Sequence, residues 1–366
     1  MIESAYLKFL EAKELIKNNK INEAIDILEK LHNDNSYNTY ATLELGKLYL
    51  KNNKEEEGEK LLQSLLNDNN KNYALLELGK YYSSKGDYDK ALICFNKILS
   101  GNEKDHAYAS LEIAKVYTKT CKNDLAKKSL KNLISSNAVN KNYAIFELGK
   151  IFSVEENFIE ARMLFKSLLN LSKKDKSYAL LELGRLEIKD GNIDMARRYL
   201  NSLIKLNDFN RIYAELELGK LYVLEGKYIE AKREFKKLLN TDNKNFAYLE
   251  LGKLESILGN NDKARKIFET LLSGSEIDKC YAKLELGILD TKEDKIEEAR
   301  NIFISLLNKV NKDNAMYELA LLESLEGNIE LAKNYLEELI NRNASNKKLA
   351  IEELKIISSY KVKKIL

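Results

Sequence analysis

Proline and tryptophan are both absent from this 366-residue chain. Without proline, no helix pattern is cut by a locked φ or a missing backbone donor. The stiff Pro-rich linkers that often mark domain boundaries are excluded too. Cysteine is scarce: Cys94, Cys121 and Cys280 form an odd set without metal-ligand spacing. That excludes a full disulfide framework and fits a reducing compartment. His32 and His106 are the only histidines, and neither adjoins a cysteine or a nucleophile pattern. His32 reads as a surface residue near a helix end. No run reaches the ~18 apolar residues of a membrane span. The opening stretch, MIESAYLKFLEAKELIKNN, carries Glu3, Glu11 and Glu14 where a signal peptide would be apolar. A soluble, cytoplasmic protein is expected, with no membrane partner. An excess of one charge is missing as well, because 60 Lys and Arg face 57 Asp and Glu. The near-neutral balance disfavours a nucleic-acid footprint.

What the chain does have is a repeat. The octapeptides YATLELGK, YALLELGK, YAIFELGK, YALLELGR and YAELELGK begin at Tyr40, Tyr73, Tyr143, Tyr178 and Tyr213. Their small seventh residue serves as a ruler. It recurs as Gly46, Gly79, Ala114, Gly149, Gly184, Gly219, Gly252, Gly287 and Ala320, at spacings of 33 or 35, with Ala12 lying 34 before Gly46. A period near 34 is the mark of a helical-hairpin array.

Inside a unit the spacing is helical. Leu75, Leu78, Gly79 and Tyr82 share one helix face. Gly86, Gly191, Gly226, Gly259 and Gly327 then stop the first helix, with Asn19 and Asn53 at the same place in the first two units. Asp87, Asn192, Asn260 and Asn328 are expected to cap the second helix. Twelve residues after the ruler stand Ala24, Gly58, Ala91, Ala126, Ala161, Ala196, Ala231, Ala264, Ala299 and Ala332, and four further on always Phe or Leu. A small residue on the first helix facing a small one on the second predicts close backbone approach, the larger side chain filling the space beside them. Helices of about 12 residues are unstable alone, and one hairpin cannot bury its apolar faces. Each unit must therefore present the same surface to the next.

These residues resemble the tetratricopeptide repeat. Its Leu-Gly-x-x-Tyr element is matched by Leu45-Gly46-Lys47-Leu48-Tyr49, and its Ala-x-x-x-Phe element by Ala91 to Phe95. The chain departs from the family in two ways. Thr42, Leu75 and Leu180 stand in the tryptophan seat, and Asn-rich turns such as NDNNKN (67–72) replace the unit-ending proline. The resemblance implies an all-α fold: an α-solenoid, a right-handed superhelix of about ten TPR-like hairpins. Residues 1–343 are read as one continuous array and residues 344–366 as a C-terminal capping helix. Glu352, Glu353, Lys355 and Lys361 suit the exposed end of such a stack.

The resemblance further implies that first helices line a concave surface and that their outward residues hold a protein segment. The candidate partner-binding residues are Tyr40, Tyr73, Tyr108, Tyr143, Tyr178 and Tyr213, six before the ruler. With them stand Lys47, Lys80, Lys115, Lys150, Arg185, Lys220 and Lys253, one after it. Phenols offer apolar area with a polar tip, and a lysine column attracts acidic groups. The competing reading is structural. A Glu column two before the ruler, Glu44 through Glu318, can simply pair with those lysines three residues on. The Leu column three before the ruler, Leu43 through Leu284, reads more as packing between units. Seats four and five after the ruler vary, as in Ser83, Ile188, Lys119 and Val154, and specificity would come from them. The carboxylate clamp of Lys, Asn and Arg found in some family members is not matched.

One column is irregular. Three after the ruler an aromatic stands at Tyr49, Tyr82, Tyr117, Phe152 and Tyr222, but an acid at Glu187, Glu255, Asp290 and Glu323. Buried acids need partners. Arg197, Arg265, Arg300 and Lys333, ten residues later, suggest a salt bridge across each hairpin. The alternative is an acidic patch that meets a basic partner.

No catalytic pattern, phosphate-binding loop, cofactor site or metal site is expected. The leading reading is a non-enzymatic scaffold for a protein or peptide. Two alternatives stay open: a single-stranded RNA-binding helical-repeat protein, its tyrosines stacking on bases, and a sensor or regulatory subunit of a signalling complex.

Overall fold

A computed structural model of the protein describes residues 2–33, 38–52, 54–342, 344 and 346–363. Asn53 lies outside this set, as does the side chain of Lys361. The chain divides into two units, Met1–Asn170 and Leu171–Leu366. All regular structure among the described residues is helical.

The first unit holds five hairpins: α1 (Ile2–Lys17) with α2 (Ile21–Asn33), α3 (Asn38–Lys51) with α4 (Glu55–Ser64), α5 (Lys71–Lys85) with α6 (Tyr88–Ile98), α7 (Glu103–Lys119) with α8 (Asn123–Ser135), and α9 (Lys141–Val154) with α10 (Phe158–Ser167). The second holds five more and a last single helix. Its pairs are α11 (Lys173–Lys189) with α12 (Ile193–Leu206), α13 (Arg211–Leu224) with α14 (Tyr228–Lys237), α15 (Lys244–Ile257) with α16 (Asn261–Leu271), α17 (Glu276–Lys292) with α18 (Ile296–Leu306), and α19 (Lys312–Leu325) with α20 (Ile329–Asn341). The last helix, α21 (Lys347–Lys363), packs on α20. Within each unit, a second helix packs on the first helix of the next hairpin, and successive first helices touch.

The core follows the expected columns. Every described alanine twelve after the ruler is fully buried, as are Phe95, Phe165, Phe235 and Phe303. The large side chain at ruler plus sixteen, rather than the alanine, is what demands a glycine. A Cβ on Gly79 would lie 2.4 Å from the Phe95 ring, and one on Gly184 2.6 Å from Leu200. Where the ruler is alanine, at Ala12, Ala114 and Ala320, the partner column holds leucine: Leu28, Leu130 and Leu336.

First helices end in a left-handed residue, glycine at Gly86 (φ 83°) but Cys121 (59°), Glu156 (59°) and Asp294 (60°) in other units, with Asn19 at 60° in the first. The second-helix caps differ from expectation. Asp87 does accept a bond from the Lys90 backbone N–H. Asn192, Asn260 and Asn328 make no cap bond. Their amides instead donate to the carboxylates of Glu187, Glu255 and Glu323, five residues back. The replacement for proline is also a tie. The buried amide of Asn140 donates to the Ala107 carbonyl at 2.7 Å, and that of Asn311 to the Cys280 carbonyl at 2.8 Å, each reaching back one hairpin.

His32 is half-buried, not a plain surface residue. Its Nδ1 lies 2.7 Å from the hydroxyl of Thr42 in the former tryptophan seat.

Candidate functional site

The irregular acids are structural. Glu187, Glu255, Asp290 and Glu323 are all buried, so they form no surface patch. The bridge across the hairpin is not what forms. Arg265 reaches forward to Asp290 of the next hairpin at 2.7 Å, and Arg300 to Glu323 at 2.8 Å. Lys232 pairs with Glu255 in the same manner, and Lys333 with Glu330 on its own helix. The base one residue after the alanine points out of its own hairpin, toward the next first helix. Where that helix offers an aromatic, the same column adapts. Glu59 accepts from the Tyr82 hydroxyl at 2.6 Å, and Arg197 lies over Tyr222 while bonding Glu225. Burial, helped by the Glu59 bond, holds the Tyr82 phenol well above its usual range.

The face of first helices turned away from second helices carries the candidate site. The Leu column belongs to the core: Leu43, Leu111, Leu181, Leu216, Leu249 and Leu284 are buried. The tyrosine column stands out. Tyr40, Tyr73, Tyr108 and Tyr143 are exposed, at 50%, 52%, 39% and 46%, and Tyr178 and Tyr213 are half-buried. Tyr178 meets Phe209 edge-on at 5.3 Å.

The lysine column is paired with the glutamate column. Lys47 meets Glu44 at 3.0 Å, Lys80 meets Glu77 at 3.1 Å, Lys115 meets Glu112 at 2.8 Å and Lys150 meets Glu147 at 3.2 Å. In the second unit the column also joins hairpins. Arg185 bridges Glu182 and Glu217, Lys220 lies near Glu217 and Glu250, and Lys253 reaches Glu285 at 3.2 Å. Burial opposes the charge on Lys253, yet Glu285 and Glu250 together hold its ammonium above the usual lysine range. Burial likewise pushes the Glu285 carboxyl up, against the pull of Lys253. The site is thus an alternating charge ladder beside a row of phenols. Sequence reasoning named both columns, but the half-exposed row of phenols is legible only in three dimensions.

The variable seats behave differently from each other. Ser83 and Ser153 are buried, and Ser83 accepts from Lys119 of the next hairpin at 3.1 Å. The following seat is exposed and mixes Lys51, Ser84 and Lys119 with Val154, Leu224 and Leu325. Among the described residues, no group of three or more His, Cys, Asp or Glu is placed to hold a metal. No helix there is long and apolar enough to cross a membrane.

Hairpins of two short helices, each closed by a small residue against a buried Phe or Leu and displaying one polar face, define a helical-repeat protein. Residues 15–79, 73–105, 178–207 and 314–345 match models of the tetratricopeptide repeat family. Over these segments the chain carries tetratricopeptide repeats. Solved structures share the fold. A tetratricopeptide repeat protein from Parabacteroides merdae is 21% identical, with 67% of this chain and 97% of that one covered and a TM-score of 0.52. The apo quorum sensor NprR from B. thuringiensis is 16% identical over 84% and 99%, TM-score 0.53. Human IFIT1, as a dimer with m7Gppp-AAAA, is 16% identical over 91% and 89%, TM-score 0.51. At these identities the likeness concerns the fold alone. A search of curated proteins finds no match.

Proposed function

We propose that this protein is a non-enzymatic scaffold that holds a segment of another protein along its first-helix face. The observation that carries the reading is the tyrosine column. The neighbouring leucine column is buried, while large aromatics six before the ruler stay half-exposed in hairpin after hairpin. Such rings supply contact area at low entropic cost. The charged ladder fixes register more than it supplies free cations, because its lysines already have carboxylates.

The single-stranded RNA alternative draws support from the same phenols and from the IFIT1 neighbour, solved with m7Gppp-AAAA. It is weakened by the glutamate beside each lysine, since phosphate binding depends on uncompensated cations. The sensor alternative draws on the NprR neighbour, which resembles this chain in fold.

The test is a pull-down from the native cell, comparing the wild-type chain with Tyr73→Ala/Tyr108→Ala/Tyr143→Ala. Loss of one specific protein band, at unchanged helical circular dichroism, supports the reading. Equal retention moves the site to another surface. Salt-sensitive binding of oligoadenylate favours RNA.

A further inference from the structure

The charge ladder changes character at one end of the second unit. Eight hairpins, at Lys13 and from Lys47 to Lys253, place a cation one residue after the ruler; the last two place Ile288 and Leu321 there. The carboxylate row does not stop with the cations. Glu285 and Glu318 continue it, and α21 extends it: Glu353 stands seven residues after Asn346, as Glu318 stands seven after Asn311. By the same register, Ile356 replaces the cation.

These groups lie together. Glu318 is buried enough that its carboxyl is pushed up to about 7, with Glu285 adding to the rise and Lys292 opposing it. Tyr317 lies within reach of Glu353, Glu318 and Glu352, which add to the effect of burial on its phenol. Lys253 and Lys292 face Glu285, and Lys292 also Glu318. Lys253 is engaged with Glu285, and Lys292 donates to the Ser256 hydroxyl at 2.8 Å. Beside the carboxylates runs an apolar stripe: Ile288 and Leu321 half-buried, Leu325 72% exposed and Ile356 48% exposed. Leu321 and Leu325 are one helical turn apart and form one ridge.

We propose that this end of the first-helix face docks a segment of a partner protein in which lysines or arginines alternate with apolar side chains. The proposal rests on the scaffold reading and adds the partner's chemistry and place. Charge complementarity selects the occupant. A cation there supplies what lysine or arginine supplies in the other eight hairpins, and an acidic segment would meet Glu285, Glu318, Glu352 and Glu353. Apolar side chains of the same segment cover the exposed Leu325 and Ile356.

The test uses the full chain and two fluorescein-labelled 14-residue peptides, one of Leu and Lys, the other with Glu for each Lys. Fluorescence anisotropy is compared for the wild type, for Glu318→Gln/Glu353→Gln, and for Glu269→Gln/Glu298→Gln, which removes the same charge from second helices. The expected result is binding of the Lys peptide, about tenfold weaker in Glu318→Gln/Glu353→Gln and unchanged in Glu269→Gln/Glu298→Gln. Binding of the Glu peptide as tight as that of the Lys peptide overturns the proposal. So does equal affinity in all three proteins, or no binding of the Lys peptide. The pull-down above turns on tyrosines of the first unit, so either result can fail without the other.

Discussion

A Cβ placed on Gly252 would stand 2.3 Å from Cε1 of Phe268, closer than any real packing contact. Five hairpins pair a ruler glycine with phenylalanine at plus sixteen, and none pairs alanine with phenylalanine. Glycine and ring are therefore one unit of packing. Gly252→Ala should cost about 1–3 kcal/mol through overpacking of a fully enclosed ring. Gly252→Ala/Phe268→Leu recreates the pairing of Ala320 with Leu336 and should recover part of that loss. Urea unfolding of the two single variants and the double variant gives a coupling energy, which is expected to exceed ~0.5 kcal/mol.

The pair Arg265 and Asp290 joins two hairpins, and Asp290 is only 5% exposed. Removing the guanidinium leaves a buried carboxylate short of its donor. Arg265→Ala should cost about 1–3 kcal/mol. A cycle on Arg265 and Asp290 should show clear coupling. A cycle on Arg265 and Glu255, which share a hairpin but not a bond, should show close to none. Strong coupling of the second pair would mean that Arg265 turns inward.

That pair also marks where reading residues in order stops working. The hairpins, their number, the glycine ruler and the glycine helix ends were legible, because each signal recurs down the chain, whereas the left-handed Cys121, Glu156 and Asp294 carried no such signal. The partner of Arg265 was not legible either. An acid lies ten residues before it and another twenty-five after it. Only the direction in which the side chain leaves α16 separates the two. Asn260 misled for a related reason. It stands where a cap belongs, but its oxygen makes no cap bond, and its NH2 group donates to the buried Glu255 carboxylate five residues back. In the candidate site, Tyr73 and Leu76 repeat with equal fidelity. Periodicity could not tell that one is exposed and the other tucked against the core.

The helix-ending position tests backbone strain. Gly86 takes φ 83° there without a side chain to resist it, whereas Cys121 and Glu156 are held at 59°. A left-handed non-glycine residue costs on the order of 1–3 kcal/mol, and glycine gives back ~0.5–1 kcal/mol through a freer unfolded chain. Cys121→Gly and Glu156→Gly should each stabilise the protein by ~0.5–1 kcal/mol, seen as a raised urea midpoint. Asp294→Gly should gain less, because aspartate tolerates this conformation.

Glu318 supplies a pH dependence with a definite sign. Burial first, and then the nearby Glu285 charge, lift its carboxyl from 4.5 to about 7 in the folded protein. Below the ordinary glutamate range the residue is protonated whether folded or unfolded, and its environment costs nothing. As pH rises, the unfolded chain gives up this proton while the folded one keeps it. The unfolded state then binds fewer protons, so stability falls with pH until the folded group also ionises near 7. Above that the loss is complete. It amounts to roughly 2 kcal/mol, taking ~1.4 kcal/mol per pK unit and discounting for residual solvent access. Glu318→Gln removes this component. The variant should match the wild type near pH 4 and exceed it in urea midpoint at pH 8, with the gap opening between those values. A gap that stays constant across the range would place Glu318 in contact with water rather than buried. The neutralised chain should then also bind the Lys peptide more weakly at pH 8, trading affinity for stability at one carboxylate.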